Sequence, residues 1–394
     1  MSNAINRRDL IKKGALLAGG LPFASSLLNG LQARPAAPFM DHSNAIQDLN
    51  ASDSSYGLQA PQELKARLFA NENPFGPSAK AKQAIADAMS NSFQYPFLYT
   101  KELTEKIANF EGLSPNQILM GSGSSPLLMA AALCFSKPGG NIVTADPTYE
   151  DLPKKTQAFK EQWIKVPLTA DYKHDLDAME KSINANTGLV YICNPNNPTA
   201  TVLDTEKLKS FCERVSKKVT VFIDEAYIDY LPDPQGTTLI SSIKKGQNII
   251  VARTFSKLYG FAGLRVGYIV AQPEMIKKLT DYTEGPMSIT ATSVKAALAA
   301  YQDQDFLKTA LEKTIASKNY LYEVLKKEGY EYVPSHTNFV IFPLKMESEK
   351  FVAEMLKRGV GVRSWKFNNK EWCRISIGRM EEMEAFAAAF KEIS

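Results

Sequence analysis

The sequence predicts an α/β protein with two domains of unequal size. Between residues 121 and 271, short continuous apolar runs alternate with helical stretches, which is typical of a mostly parallel sheet covered by helices on both faces. After Gly285-Pro286 a long helical stretch is followed by several short strand-like runs, which indicates a smaller α+β domain at the carboxyl end. A chain of 394 residues can bury a core in each.

We divide the chain into four segments. Residues 1–38 read as a signal segment and 39–70 as an amino-terminal arm, because 39–62 are polar, turn-rich and without periodicity. Residues 71–285 form the predicted large domain. The small domain is predicted to cover 286–394.

The predicted elements of the large domain follow one another in a regular order. Ser78 caps a helix that runs to about residue 90, and a second helix covers about 100–111. Further helices are predicted at 127–135 and 205–217. The predicted strands are 141–145, 161–166, 188–193, 219–223, 248–252 and 266–271.

The carboxyl-terminal part has a different pattern. One long helix is predicted at 293–327 and a shorter one at 349–358. Short strands are predicted at 330–334, 338–342, 360–363 and 372–377.

Charge and cysteine content exclude some classes of function. The formal charge of +4 lies in the first 38 residues, which hold five basic residues and one acidic residue, and the remainder carries 41 of each sign. This balance gives no argument for a nucleic-acid partner. The four cysteines (Cys134, Cys193, Cys212 and Cys373) have no Cys-x-x-Cys or Cys/His spacing, so we predict no metal site.

The amino terminus predicts export. Asn6-Arg7-Arg8-Asp9-Leu10-Ile11-Lys12 resembles the twin-arginine signal, and the weakly apolar stretch 14–28 is too short and too rich in glycine and serine to span a membrane stably. We therefore predict a periplasmic protein that reaches its compartment folded. The alternative is a basic amphipathic tail on a cytoplasmic protein.

The segment around Lys257 carries the strongest chemical signal. Ser256 and Lys257 supply a hydroxyl and an amine together, and Arg265 follows after a glycine-containing turn. A lysine amine can form a Schiff base with an aldehyde, and a guanidinium suits bidentate phosphate binding. A single lysine would be interpreted as a solvated side chain. The occurrence of Ser256, Lys257 and Arg265 in this order would rarely arise by chance, so the set favours a functional site.

A carboxylate is predicted at the end of a buried strand just upstream. Asp224 ends an apolar run, and Tyr227 follows three residues later. An unpaired buried carboxylate is costly, and a protonated pyridinium would remove that cost. Asp224 could instead cap the next helix. Taken with Lys257 and Arg265, these residues supply what a protein must offer to pyridoxal phosphate.

Three further loops follow predicted strands, where an open α/β sheet places its site residues. The Gly121 to Ser125 loop opens a helix whose free N–H groups can receive an anion, although such a loop is often only a tight turn. Tyr149 could stack on an aromatic ring or simply pack in a surface turn. Asn197, fixed between two prolines, could donate to a phenolate oxygen or belong to an ordinary Asn-Pro loop.

Two arginines near the carboxyl end are candidates for substrate binding. Arg374 lies in an apolar strand without an adjacent acid, and a buried guanidinium requires an anion. A substrate carboxylate would satisfy it, and Arg363 could serve a second anionic group. The alternative for both is a structural salt bridge.

The order of these motifs identifies a family resemblance. From about Leu64 to its end, the chain resembles the fold-type I pyridoxal-phosphate aminotransferases, and most closely the histidinol-phosphate aminotransferase branch. The motifs that carry the resemblance are Arg-Leu-Phe-Ala-Asn-Glu-Asn-Pro-Phe-Gly-Pro at 67–77, Tyr95-Pro96, Asn-Pro-Asn-Asn-Pro-Thr at 194–199, Asp-Glu-Ala-Tyr at 224–227, and the run from Ser256 to Arg265.

The resemblance implies a role for each candidate residue. Lys257 would form the Schiff base with the cofactor, Asp224 would pair with its ring nitrogen, Asn197 and Tyr227 would hold the ring oxygen, and Tyr149 would stack on the ring. The phosphate would be held by Ser124, Ser125, Ser256, Arg265 and, from the neighbouring subunit, Tyr95, which implies a homodimer with shared sites. Arg374 would take the substrate α-carboxylate, and Asn73 would line the substrate pocket.

This chain departs from the family pattern at two places. Ala200 stands where the family usually has glycine at the end of the asparagine turn. Ser124-Ser125-Pro126 replaces the acidic residue that is common near the end of the glycine loop.

Three functional hypotheses follow. The first is an aminotransferase that moves an amino group from histidinol phosphate, a similar compound or an aromatic amino acid to a 2-oxo acid such as 2-oxoglutarate. The second is a decarboxylase or lyase of phosphorylated amino acids on the same fold. The third is a non-catalytic binding module, against which the intact set of Lys257, Asp224 and Arg265 argues. Predicted export favours a donor outside histidine biosynthesis, which is cytosolic.

Overall fold

The structure is a computed structural model that describes residues 64–394. The predicted signal segment and most of the predicted arm lie outside the described residues. The strands are β1 (Ala66–Arg67), β2 (Ile118–Gly121), β3 (Asn141–Asp146), β4 (Gln162–Pro167), β5 (Thr187–Cys193), β6 (Thr220–Asp224), β7 (Ile249–Thr254), β8 (Gly267–Val270), β9 (Phe339–Pro343), β10 (Val360–Gly361), β11 (Arg363–Phe367) and β12 (Lys370–Ser376).

The α-helices alternate with these strands. They are α1 (Ala79–Ala88), α2 (Phe97–Glu111), α3 (Ser125–Phe135), α4 (Asp151–Ala158), α5 (Leu176–Lys181), α6 (Thr205–Val215), α7 (Pro234–Thr237), α8 (Ile240–Lys244), α9 (Pro273–Thr280), α10 (Ala291–Ala300), α11 (Gln304–Lys327), α12 (Ser348–Lys357) and α13 (Met380–Lys391). None of the helices in residues 64–394 is both long and apolar enough to cross a bilayer.

The central sheet has seven strands in the order β2-β8-β7-β6-β5-β3-β4. All neighbours are parallel except β8, which runs antiparallel to both β2 and β7. The prediction of a mostly parallel sheet is therefore confirmed. Because parallel strands end at one edge, the loops after β3, β5, β6 and β7 meet there.

The two faces of this sheet are covered by different helices. Successive side chains of a strand point to opposite faces. Ile223 of β6 therefore packs in the apolar cluster that includes Leu103 of α2, while Phe222 packs in the cluster that includes Leu127 of α3. This double burial explains why the strands appear in the sequence as continuous apolar runs.

The second sheet is antiparallel, in the order β11-β12-β9, and Arg363 lies directly opposite Arg374 in its register. Its core holds Phe342, Phe386 and Phe390. The short strand β1 pairs with β10, and Leu68 packs in this same core.

Packing at the two predicted domain boundaries is more mixed than the sequence suggests. The sequence places Leu68 in the arm, yet Leu68 packs with the small sheet. It places helix α10 in the small domain, yet Val294 of α10 packs in the large core with Ala81 of α1. Contacts between segments far apart in the chain determine which core each of these residues joins. The domain boundaries at 70/71 and 285/286 stay a prediction.

Some predicted elements differ from those observed. The helix at 293–327 is two helices, because Gln302 adopts a left-handed backbone with φ of 66° and Asp303 accepts a hydrogen bond from Lys80 at 2.8 Å. The strand at 330–334 is only one bridge, between Val333 and Ile341. The strand predicted at 360–363 ends at Gly361, and β11 begins at Arg363.

Candidate active site

Lys257 lies in the loop after β7, at the edge where the parallel strands end. Its Nζ donates to the backbone oxygen of Asn71 at 3.4 Å and lies 5.3 Å from the centre of the Tyr227 ring. Burial and the nearby Arg374 guanidinium lower the pKa of this amine to about 8, against the opposing pull of Asp224. Near physiological pH, a much larger fraction of this amine is therefore neutral and nucleophilic than in an exposed lysine.

Asp224, at the end of β6, is 2% exposed. Its carboxylate accepts from the Tyr191 hydroxyl at 3.0 Å and the Ala226 N–H at 3.1 Å, and it makes no ion pair with any described residue. Burial raises its pKa to about 6, although both donors oppose that rise. A carboxylate in this state gains most from a cationic partner such as a protonated ring nitrogen.

Tyr227 is held by a residue from a distant part of the chain. Asn71 Nδ2 donates to the Tyr227 hydroxyl at 3.0 Å. The hydroxyl proton of Tyr227 is therefore left to donate to a ring oxygen in the site.

An anion cradle lies beside Lys257. Arg265 Nη1 donates to Ser256 Oγ at 3.2 Å, and a side chain at Gly123 would collide with the Arg265 guanidinium. Gly267 of β8 also faces this loop, where an added Cβ would come within 2.7 Å of the Gly123 and Ser124 backbone. Two glycines thus leave room for the loop and the guanidinium to meet.

The loop that contributes Ser124 and Ser125 ends at the amino terminus of α3. Leu127 and Leu128 make the first backbone bonds of this helix, both to the Ser124 oxygen, at 3.0 and 2.9 Å. The N–H groups that precede them, with the positive end of the helix dipole, favour an anion such as a phosphate. Tyr149 lies on the same side, where its hydroxyl interacts with Ser125.

Arg374 is positioned between the two sheets. It is 2% exposed, and its guanidinium donates to Asn197 Oδ1 at 2.7 Å and to the Phe69 oxygen at 2.8 Å. Since Asn197 accepts through its oxygen, its amide N–H groups are free to donate to a ring oxygen. Arg374 therefore joins the substrate side of the site to the cofactor side.

Asn73 and Tyr95, which the sequence predicts to contact substrate and a neighbouring subunit's phosphate, have other contacts in this structure. Asn73 donates to the Leu258 oxygen at 2.6 Å and accepts from the Phe75 N–H at 3.0 Å, so its amide fastens the 73–77 turn to the lysine segment. Tyr95 is 74% exposed and contacts Phe97 rather than the cradle. Their predicted roles toward substrate and a neighbouring subunit stay predictions.

Sequence reasoning missed the group that organises the site. Asn71 has a left-handed backbone, with φ of 54°, and it bonds Ser376 through both its N–H and its side-chain oxygen. Its backbone oxygen accepts from Lys257 and from Asn338. Asn71 belongs to a recognised motif, but nothing in the sequence indicated that its partners lie up to 305 residues away.

The structure also explains one departure from the family pattern. Ala200 has a φ of 60°, in the left-handed region that favours glycine. Its backbone nevertheless closes the turn, because its N–H donates to the Asn196 oxygen at 2.9 Å and its oxygen accepts from the His336 N–H at 2.9 Å.

These residues fit pyridoxal phosphate. A buried carboxylate without an ion pair, a partly buried amine of lowered pKa, and an arginine against a glycine loop match the ring nitrogen, the aldehyde and the phosphate of that cofactor. The fold and the site together define a fold-type I pyridoxal-phosphate enzyme.

Comparison with known proteins gives the family. Residues 65–390 match the model of the family "Aminotransferase class I and II", and the chain belongs to that family. The histidinol-phosphate aminotransferase of Moorella thermoacetica is 37% identical over 83% of this chain and 85% of its own length. That of Brevibacillus brevis is 36% identical over 83% and 90%.

A solved structure supports the same conclusion. It is the histidinol-phosphate aminotransferase of Sinorhizobium meliloti in complex with pyridoxal-5'-phosphate, with a TM-score of 0.79 and 26% identity, covering 90% of this chain and 97% of that one. The protein is thus a pyridoxal-phosphate-dependent aminotransferase, which confirms the prediction of activity and cofactor.

Proposed function

We propose that the amino donor carries an anionic group and that it is histidinol phosphate or a close analogue, with a 2-oxo acid such as 2-oxoglutarate as the acceptor. One observation carries this proposal: Arg363 and Arg374 lie directly opposite each other on β11 and β12. Both guanidiniums lie near the Trp365 ring, 5.4 and 5.9 Å from its centre. A guanidinium suits bidentate phosphate binding, and two guanidiniums side by side can contact one phosphate group that carries two negative charges.

The chain's own residues account for the catalytic steps. When bound, pyridoxal phosphate supplies the aldehyde that takes up the amino group and the ring that withdraws electrons. Lys257 is the base that removes the α-proton of the donor and returns a proton as an acid. Asp224 keeps the ring nitrogen protonated, and Asn197 and Tyr227 donate to the ring oxygen. Arg374 holds an anionic group of the donor, and we assign Asn73 to the wall of the substrate pocket.

A donor panel tests the proposal. With 2-oxoglutarate as acceptor, we expect kcat/KM for histidinol phosphate to exceed that for tyrosine and phenylalanine by at least about tenfold, because its doubly charged phosphate can pair with both guanidiniums, whereas the α-carboxylate of those amino acids carries a single charge. Arg363→Gln should remove most of that preference, while Arg214→Gln on the exposed face of α6 should retain it. Higher kcat/KM with the aromatic amino acids would contradict the proposal, and release of CO2 without a keto product would identify the decarboxylase alternative.

We also propose a homodimer with shared active sites. Exposed apolar side chains cluster just before and within the first turn of α2, at Phe93, Tyr95, Phe97 and Leu98. An exposed group of this kind is typical of a protein–protein contact. A second copy that covers it would bring Tyr95 to the phosphate cradle of its partner.

Mixed dimers distinguish shared from separate sites. Lys257→Ala and Tyr95→Ala each damage every site in their own homodimers. In a mixed dimer with shared sites, one site contains both substitutions and the other contains none, so activity should return to about half of wild type per mixed dimer. No recovery in a purified mixed dimer would mean that the sites are not shared.

We further propose export by the twin-arginine route, in which case the physiological donor would be a close analogue of histidinol phosphate rather than the cytosolic compound itself. The support is the Arg7-Arg8 motif and the weakly apolar stretch after it. Cell fractionation should find the protein in the periplasm and should find the Arg7→Lys/Arg8→Lys variant in the cytoplasm. A wild-type protein found only in the cytoplasm would overturn this proposal.

A further inference from the structure

A cavity of about 430 Å³ lies behind the lysine loop and is bounded by α2, α11 and the segment after β6. Leu258 and Tyr259, which directly follow Lys257, line one wall of it. None of the residues assigned above to cofactor or substrate lines this cavity.

The cavity and the active site lie on opposite faces of the central sheet. Asp224 follows the same strand as Phe222 and bonds Tyr191, and both of these residues belong to the cluster on one face. Arg253 alternates with Ala252 along β7 and therefore points to the other face, where Val251 and Tyr268 pack. A ligand in the cavity would therefore not overlap the cofactor.

Two acidic side chains reach this cavity without a partner. Glu111, the last residue of α2, is 3% exposed, and Asp229 follows β6; neither carboxylate makes a hydrogen bond or ion pair with any residue in 64–394. Burial raises the pKa of both carboxyl groups, and Arg253 opposes that rise. Leaving a buried carboxylate without a partner costs stability, so Glu111 requires an explanation. Asp229 is partly exposed and adds a second negative charge to the same cavity wall.

The Arg253 guanidinium in the cavity wall already has a carboxylate partner. Arg253 Nε donates to Glu225 at 2.8 Å, and Glu225 also accepts from Thr238 and Leu239, each at 2.8 Å. Once this pair is set aside, the charged residues that line the cavity are two carboxylates, Glu111 and Asp229, and one amine, Lys308, so the remaining charge is negative. Arg253 Nη2 is buried and has no hydrogen-bond partner among residues 64–394.

Aromatic rings form much of the remaining wall. The Tyr301 ring lies 5.8 Å from Phe110 at 83°, 5.9 Å from Phe255 and 6.4 Å from Tyr259, measured between ring centres. All four rings line the cavity. Aromatic faces attract organic cations, and the attraction strengthens where water is excluded.

We propose that this cavity binds a small organic cation, an alkylated ammonium with an apolar body. Its charge would offset Glu111 and Asp229, and its apolar groups would pack on the rings. A bare metal ion is a poorer match, because no group of three His, Cys, Asp or Glu side chains within residues 64–394 is arranged to hold one. This inference is independent of the amino donor proposed above.

Calorimetric titration of the full-length holoenzyme tests the proposal. The probes are choline and phenyltrimethylammonium, which cannot react with an aldehyde, and the neutral comparison is 3,3-dimethylbutan-1-ol, which has the shape of choline without its charge. We expect at least one cation to bind about tenfold more tightly than the alcohol. Equal or weaker binding of both cations would overturn the proposal.

Variants locate the binding. Glu111→Gln and Asp229→Asn keep the side-chain shape and remove one charge, so each should weaken cation binding about tenfold. Glu102→Gln removes one charge from the exposed face of the same helix and should leave binding unchanged. Cation binding that is equal in all three variants would place it elsewhere and would also overturn the proposal. If Glu111→Gln does not fold, Asp229→Asn decides.

Discussion

Asp224 and Glu225 are neighbours in the chain, and both are almost completely buried, yet their surroundings differ. Glu225 is 1% exposed and has an arginine at 2.8 Å plus two neutral donors. Asp224 has only neutral donors, and burial raises its pKa to about 6. A carboxylate whose charge is balanced within the protein stabilises the fold, whereas one left without a cation is prepared for a ligand.

The largest effect is expected from replacing Lys257, whose amine lies in the same site as Asp224. Lys257→Ala should lower kcat by at least about 10⁴-fold, because it removes both the covalent attachment point and the proton carrier. The measurement is transamination with the absorbance of the bound cofactor. Lys318 is the matched control, since burial lowers its pKa to about 8 as well, but it bonds only the Ser335 and Thr337 oxygens. Lys318→Ala should retain turnover. Transamination that persists in Lys257→Ala would contradict the assignment of Lys257 as the catalytic lysine.

Asp224→Asn comes next in size. It should lower kcat about 10³-fold while the protein stays folded, because the charge facing the ring nitrogen is lost from a site that excludes water. Steady-state kinetics and thermal unfolding measure the two effects. Tyr191→Phe keeps the charge and removes one donor, so its loss should be much smaller. Similar losses in both variants would mean that the charge of Asp224 is not what matters.

Glu225→Gln should show the opposite pattern. It leaves the Arg253 guanidinium buried without its counter-charge, and we expect a loss of about 3–5 kcal/mol in the free energy of unfolding. Turnover per folded molecule should remain close to wild type. Denaturant titration measures the stability change. Glu180→Gln is the control, because its pair with Arg214 has the same 2.8 Å separation but lies on the surface, where we expect no measurable change. A catalytic defect without a stability defect in Glu225→Gln would contradict this.

The smallest effect concerns pH. Only the neutral amine of Lys257 can react with the cofactor aldehyde, and burial lowers the pKa of this amine to about 8. The rate at which the cofactor-free enzyme binds the aldehyde should therefore increase with pH and reach half of its maximum near pH 8. Arg374→Gln removes a positive charge that also lowers this pKa, and should therefore move the midpoint to higher pH. Stopped-flow absorbance across a pH series gives both midpoints. An unchanged midpoint in Arg374→Gln, matching that of the distant Arg214→Gln, would show that Arg374 does not act on the amine.

Local patterns in the sequence were enough to predict much of the fold and of the catalytic set. Buried parallel strands carry apolar residues on both faces, so β3, β5, β6 and β7 appear as continuous runs. Site residues of such a sheet follow the carboxyl ends of its strands, which is why Asp224, Asn197 and Lys257 could be found one by one. The split of the long helix at Gln302 could not be found this way, because neither a glycine nor a proline stands at the left-handed residue where the helix breaks.

The sequence by itself determined the layered architecture, the positions of the strand ends and the residues that follow them, because these depend on short-range periodicity and on side-chain chemistry. Only the tertiary structure decided which of those residues meet. Asn71 joins Tyr227, Lys257 and Ser376, and Asn197 meets Arg374 across 177 residues. The physical reason is that such contacts depend on sheet register and on the packing of two cores. The same packing places Glu111 on the opposite side of the sheet from Asp224, in a cavity that no sequence pattern predicted.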